Sequence, residues 1–311
     1  MTSRRNFIKT GSLLAATGML SSCSPVNEKK EKEKANFSFC LNTSTIRGQE
    51  PGLKGYIEIA AEAGYDGVEL WVRDVKKHII GEGNPASDLK KFIEDHGLRV
   101  ENAIGFAPWL MEDTPEGKGF DLMREEMELM ASIGCLRIAA APGGVPAGEP
   151  LDLFMAGRRY RELIEVGKNI GIMPQLEFWG ASPVLYHFAQ IMMIAAAANH
   201  PDVHLLPDVY HLFRGGSGFE GLKMLSGNVI EIFHMNDFVD TIPREEQKDE
   251  DRVYPGDGVA PLEEILTDLS RSGGTKVLSV ELFNPEYWKQ DALLVARTAL
   301  EKMKELVGRV S

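Results

Sequence analysis

The chain has 311 residues, with 34 Lys and Arg against 46 Asp and Glu, a formal charge of −12. A composition of 43% hydrophobic and 26% charged residues excludes a wholly disordered chain and suits one large domain or two small ones. No apolar run reaches the ~20 residues of a membrane span, the acidic balance argues against nucleic acid as partner, and three cysteines cannot build a disulfide framework.

The N-terminus reads as an address. Ser3-Arg4-Arg5-Asn6-Phe7-Ile8-Lys9 precedes a weakly apolar stretch, and Leu20-Ser21-Ser22-Cys23 follows. The paired arginines resemble a twin-arginine export signal, and the second run resembles a lipobox whose cysteine is acylated. Residues 1–22 are therefore expected to be an export signal. Cys23 is expected to carry lipid, and 23–36 to be a charged, solvated tether. The expected location is beyond the inner membrane, facing the periplasm or cell surface, with the lipid as the only membrane contact. Cys40 and Cys135 lie in apolar contexts and read as buried free thiols.

From Phe37 the pattern alternates short β-rich runs with longer amphipathic ones. Strands are expected at 37–43, 67–71, 99–104, 136–141, 173–178, 203–208, 230–235 and 276–281. Helices are expected at 53–63, 85–96, 120–133, 153–170, 183–199, 218–225, 261–271 and 288–307. Eight strand–helix units over 37–311 match a closed (β/α)8 TIM barrel of parallel strands. An open doubly wound sheet is disfavoured, because no Gly-x-Gly-x-x-Gly follows the first strand.

A barrel enzyme carries its chemistry at the C-terminal ends of its strands. There stand Glu177, Asp208, His234 and Glu281, ending four consecutive strands. A charged group in an apolar strand is costly unless paired or metal-bound. Three carboxylates and an imidazole suit one divalent cation; manganese is favoured, with cobalt, magnesium and zinc open. Trp71 and Glu69 end the second strand, and Trp109 and Trp179 lie in loops facing the same end. All four are candidate sugar contacts, with core or loop packing as the alternative for the aromatics. The charged loop 243–252 reads as a solvated excursion apart from Arg252.

The pattern Glu…Asp-x-x-His…His…Glu resembles the xylose isomerase-like sugar isomerase/epimerase barrels. That family includes D-tagatose 3-epimerase, the inositol-catabolism (inosose) dehydratase and isomerase, and bacterial AP endonucleases. The similarity runs through LEFWG (176–180), PDVYH (207–211), FHMND (233–237), DRVYPGDG (251–258) and SVELFNP (279–285). It implies Glu177, Asp208, His234 and Glu281 as metal ligands, and His211 and Arg252 as substrate contacts. The extra ligands of the AP endonucleases are missing, which excludes DNA repair. Pro183 stands where the epimerases carry a second glutamate. No basic cluster resembles a phosphate clamp, so an unphosphorylated sugar or keto-sugar is expected.

On this reading Glu177 and Glu281 move a proton through an enediolate, and His211 orients the reacting oxygen. Epimerisation or isomerisation is the favoured outcome. A lyase, dehydratase or hydratase acting on a keto-sugar or keto-glycoside is the alternative. A lipid-anchored, non-catalytic sugar-binding protein is the rival outside catalysis. Oligomeric state is left open.

Overall fold

The computed structural model describes residues 36–115, 117–148, 150–225 and 227–310. The export segment, Cys23 and the tether up to residue 35 lie outside the described residues. Eight parallel strands alternate with helical segments. The strands are β1 (Asn36–Asn42), β2 (Gly67–Trp71), β3 (Arg99–Ile104), β4 (Arg137–Ala140), β5 (Met173–Glu177), β6 (Leu205–Leu206), β7 (Ile232–Met235) and β8 (Thr275–Val280). They pair in the orders β3-β2-β1-β8-β7 and β4-β5-β6. Parallel bridges Leu205 to Ile230 and Asp208 to His234 join β6 to β7. The Leu136 N–H donates to Val100 O at 3.1 Å and joins β3 to β4, closing the barrel.

Successive side chains of a strand point to opposite faces. One face feeds an apolar layer beneath the helices, with Leu41, Val68, Leu70, Leu176, Phe233 and Leu278 among its members. The other forms a separate small cluster of Cys40, Trp71, Ile104, Ala139, Leu206, Ile232 and Val277. In the same phase as that second set come Asn42, Glu69, Asn102, Gln175, Glu177, Asp208, His234, Ser279 and Glu281, all buried. The barrel interior is thus polar toward the C-terminal strand ends.

Among the described residues the α-helices of six residues or more are α1 (Gly52–Ala63), α2 (Ala86–Asp95), α3 (Gly119–Ser132), α4 (Leu153–Ile170), α5 (Phe188–Ala198), α6 (Val209–Arg214), α7 (Leu262–Ser272) and α8 (Ala292–Val310). A short hairpin pairs Asp113–Thr114 with Gly117–Lys118 before α3. Local chemistry explains the boundaries that differ from expectation. The helix expected from Pro183 starts at Phe188, because His187 caps Ala189 N–H while Gln190 accepts from His187 N–H. The helix expected at 218–225 is a 3-10 turn, Glu220–Met224. The unexpected α6 begins directly after Asp208, whose carboxylate takes the His211 N–H at 2.8 Å as an N-cap. The last expected helix starts later, at Ala292 as α8, after a separate four-residue helix, Pro285–Trp288. Among the described residues no helix is long and apolar enough to cross a membrane.

Candidate active and metal site

Donor atoms of Asp208, His234 and Glu281 lie within 4.8 Å of one another, and all three residues are buried. His234 Nδ1 stands 3.6 Å from Asp208 Oδ2 and 3.5 Å from Glu281 Oε2. It has no hydrogen-bond partner among the described residues. Its Nε2 is 2.9 Å from Glu69 Oε1, which fixes the ring and turns Nδ1 toward the two carboxylates. Burial pulls the His234 pKa down, but Glu69, Glu281 and Asp208 outweigh it and raise it well above the ordinary value. A cation held by these carboxylates would take the place of the Nδ1 proton.

Glu69 itself is saturated. Asn102 Nδ2 donates to Oε1 at 2.6 Å; Asn42 Nδ2 and Ser279 Oγ donate to Oε2 at 2.8 and 2.6 Å. Burial opposes its charge, yet His234 and these donors keep its pKa below the ordinary value. The expectation that Glu69 contacts sugar is therefore corrected. The residue is fully buried, its acceptor sites are taken, and its task is to hold His234.

Glu177 stands outside the three-residue group but lines the cavity that Glu281 also lines. Its Oε2 is buried without a hydrogen-bond partner among the described residues. Burial, reinforced by the neighbouring carboxylates, pushes its pKa up to about 8. Of the four residues expected to cluster, three bring donor atoms together and Glu177 lines the same cavity. A fourth negative charge is disfavoured next to Glu281, Glu69 and Asp208.

Arg252 is the buried counter-charge. Its Nη1 donates to Asp208 Oδ2 at 3.1 Å and Glu281 Oε2 at 2.8 Å. Its Nη2 donates to Asp249 and lies 3.2 Å from His211 Nε2. Asp249 was expected to be merely solvated; it lines the cavity because Arg252 draws it in. The Gly180 N–H lies 3.2 Å from His211 Nδ1. Only glycine permits this approach, since a Cβ at 180 would fall 2.7 Å from Gly215 N. Burial lowers the His211 pKa to about 4, so its ring is neutral at pH 7.

The cavity holds about 490 Å³, within the range for small-molecule sites. Trp71 and Trp179 are in its wall as expected, with Phe106 and Phe283, which sequence reasoning missed. Trp109 is corrected. It is fully buried in the helix-side core, with Nε1–H donating to Ala141 O at 2.8 Å, and does not line this cavity. Asn42, Asn102 and Ser279 were also missed. Their only sequence signal is a polar residue in the inward phase of an otherwise apolar strand.

The loop carrying Arg252 is anchored on Asp237. Its Oδ1 accepts from Phe238 and Ala260 N–H, and its Oδ2 from Gly256 and Gly258 N–H, at 2.8–3.1 Å. A Cβ at Gly258 would fall 2.2 Å from Phe238 O. The FHMND and PGDG segments are thus two halves of one clasp.

The family described as the xylose isomerase-like TIM barrel matches residues 57–306. The chain belongs to this family. It is 34% identical over 286 residues to an inosose isomerase of Halalkalibacterium halodurans, covering 88% of this chain and 97% of that one. It is 29% identical over 283 residues to the inosose isomerase of Bacillus velezensis, covering 88% and 98%. A 3-dehydroshikimate dehydratase of Pseudomonas aeruginosa is 25% identical over 242 residues, 73% of this chain and 36% of that one. Among solved structures, the IOLI protein with a bound zinc atom superposes with a TM-score of 0.78 at 26% identity, covering 88% and 99%. An L-ribulose 3-epimerase shares the fold at 16% identity, with a TM-score of 0.68 and coverage of 88% and 96%. This xylose isomerase-like barrel is an enzyme of the isomerase kind.

Proposed function

We propose that this enzyme isomerises or epimerises an unphosphorylated sugar or keto-sugar, using one divalent ion held by Asp208, His234 and Glu281 with Glu177 at its side. The observation that carries the reading is the His234 ring: Nε2 fixed by Glu69, Nδ1 buried, unpartnered and facing two carboxylates. Carboxylates with an imidazole suit manganese, our favoured ion, and equally zinc, the atom bound in the IOLI relative. Such an ion supplies Lewis acidity toward a carbonyl oxygen.

The chain's own groups handle the proton. Glu177 Oε2 is placed to accept it from the carbon beside the carbonyl; burial and the neighbouring carboxylates raise its pKa in the metal-free fold, and a divalent ion beside it would favour the ionised form that acts as base. Glu281, whose oxygens accept from Asn42 and Arg252, is the second carboxylate of the cavity and returns the proton. Neutral His211 orients the reacting oxygen. Arg252 is the cavity's lysine- or arginine-type cation and is already shared among Asp208, Glu281 and Asp249, which supports an unphosphorylated substrate. The reading is tested by deuterium wash-in from D2O into a panel of keto-sugars, with products identified by NMR. Exchange that needs added Mn²⁺ or Zn²⁺ and is lost in Glu177→Gln supports it; metal-independent turnover, or none on any sugar, sinks it. Elimination is the second reading, favoured by the dehydratase relative. It predicts water among the products.

We also propose export and lipidation at Cys23, supported by the twin-arginine and lipobox patterns. Cys23→Ser should move the protein from the membrane fraction to the soluble one. A twin-lysine change at Arg4 and Arg5 should keep it in the cytoplasm. Unchanged fractionation of both variants would refute this reading.

A further inference from the structure

A second cavity, of about 480 Å³, adjoins the first, and the two share Trp71, Ile104, Phe106 and Gly144. Phe106 is the partition. It is 46% exposed, with its ring centroid 5.4 Å from that of Trp71 and 5.7 Å from that of Trp179. Beyond it the walls are mostly apolar, with Val72, Ile80, Leu122 and Leu129 among their members. Arg73, Lys76 and Glu125 also line it, and so does Glu126 on α3. Its Oε2 is buried with no hydrogen-bond partner among the described residues and lies so close to Gly105 that a Cβ there would fall 2.2 Å from it. Nothing in the reaction proposed above uses Glu126 or these walls.

We infer that this second cavity receives a hydroxylated aromatic ring joined to the sugar held at the strand ends. The inference rests on the sugar reading of that first site. The shared lining at Trp71, Ile104, Phe106 and Gly144 makes the two cavities one cleft with a polar and a mostly apolar half. A flat ring suits aromatic and aliphatic walls. A ring hydroxyl satisfies the orphaned Glu126 oxygen, which otherwise stays buried at a cost. A second sugar fits less well, because hydroxyls on both faces of its ring would be stripped of water against the mostly apolar walls. Burial also pushes the Glu126 pKa up to about 7, as expected for a carboxyl group in an apolar setting.

Binding is measured by titration calorimetry and saturation-transfer NMR on the mature chain with Mn²⁺. The probes are D-glucose, cellobiose, hydroquinone, and phenyl and 4-hydroxyphenyl β-D-glucopyranoside. The expected order places 4-hydroxyphenyl glucoside at least about tenfold tighter than glucose and cellobiose. Leu122→Trp, which fills the cavity, should abolish hydroquinone binding and remove that margin. Glu126→Met keeps the volume and removes the acceptor. It should weaken the hydroxyphenyl probe severalfold and leave the phenyl probe unchanged, a contrast that loss of folding would not give. Equal affinity for glucose and the aryl glucosides overturns the inference, as does cellobiose binding as tightly as they do, or indifference to both variants. Deuterium wash-in on a sugar with no gain from the aryl group overturns this inference alone. Hydroxyaryl binding that follows Leu122 and Glu126, with no wash-in on any sugar, overturns the reaction reading alone.

Discussion

Glu69 and Glu177 are both buried carboxylates at strand ends, yet their surroundings give them opposite tasks. Glu69 accepts four hydrogen-bonding partners and stays ionised to hold His234. Glu69→Gln keeps the shape and removes the charge, so metal affinity and turnover should each fall about 10- to 100-fold, as for other partners of metal-bound histidines. A competition titration with a fluorescent chelator checks the first and a turnover assay the second; unchanged metal affinity would refute the assigned role. Glu177 has a pKa raised to about 8 against an ordinary 4.5, so the metal-free fold prefers it protonated. Its favourable contribution is complete below pH 4.5 and is lost as pH rises toward 8 and beyond. In EDTA-treated protein Glu177→Gln should therefore match wild type at pH 5 and exceed it at pH 9, by on the order of a few kcal/mol. Thermal melts at the two pH values test this, and parallel melting curves would contradict it.

Among the elements, the loop after β7 depends on its anchor. Asp237 satisfies four backbone N–H groups, two of them in the Gly256–Gly258 turn, and so sets the position of Arg252. Asp237→Ala leaves those donors unpaired, a loss of about 1–3 kcal/mol for each one that stays buried. We expect faster limited proteolysis within 243–252 and a raised KM, with the far-UV circular dichroism of the barrel retained. Protection equal to wild type would show that the turn holds itself. This loop also marks how far sequence reasoning reached. The β-rich runs gave all eight strands, because inward and outward phases alternate visibly and Glu177, Asp208, His234 and Glu281 interrupt apolar stretches. The supporting groups were illegible for a physical reason. Asn42, Asn102 and Ser279 are common polar residues whose role arises only when β1, β2, β3 and β8 come side by side. Trp109 misled for the opposite reason, since a loop tryptophan looks exposed until its N–H finds the Ala141 carbonyl. Glu126 gave no signal at all; a glutamate on an amphipathic helix reads as solvated until the neighbouring glycine lets it in.

For the molecule as a whole, the metal should act as a stabilising ligand as well as a chemical one. At a free ion concentration about 100 times Kd, binding adds about 2.7 kcal/mol, or roughly 5–10 °C in Tm for a barrel of this size. Chelation should remove that increment, and Mn²⁺ or Zn²⁺ should restore it. A Tm indifferent to EDTA and to added metal would contradict the site. The same increment should be absent in His234→Ala.

The pairing of β1 with β8 has a consequence for the chain's birth. Asn42, from the first strand, donates to Glu281, just beyond the last, and Thr45 bridges to Val280 O and Leu282 N–H. The two ends of the catalytic segment thus meet at one seam through the centre of the site. While the ribosome still holds the residues around 281, a nascent chain can own Glu69, Asp208 and His234 but lacks the strand that completes them. Activity should therefore appear in a single step once Glu281 has left the ribosome, with stalled chains that stop short of Glu281 inert.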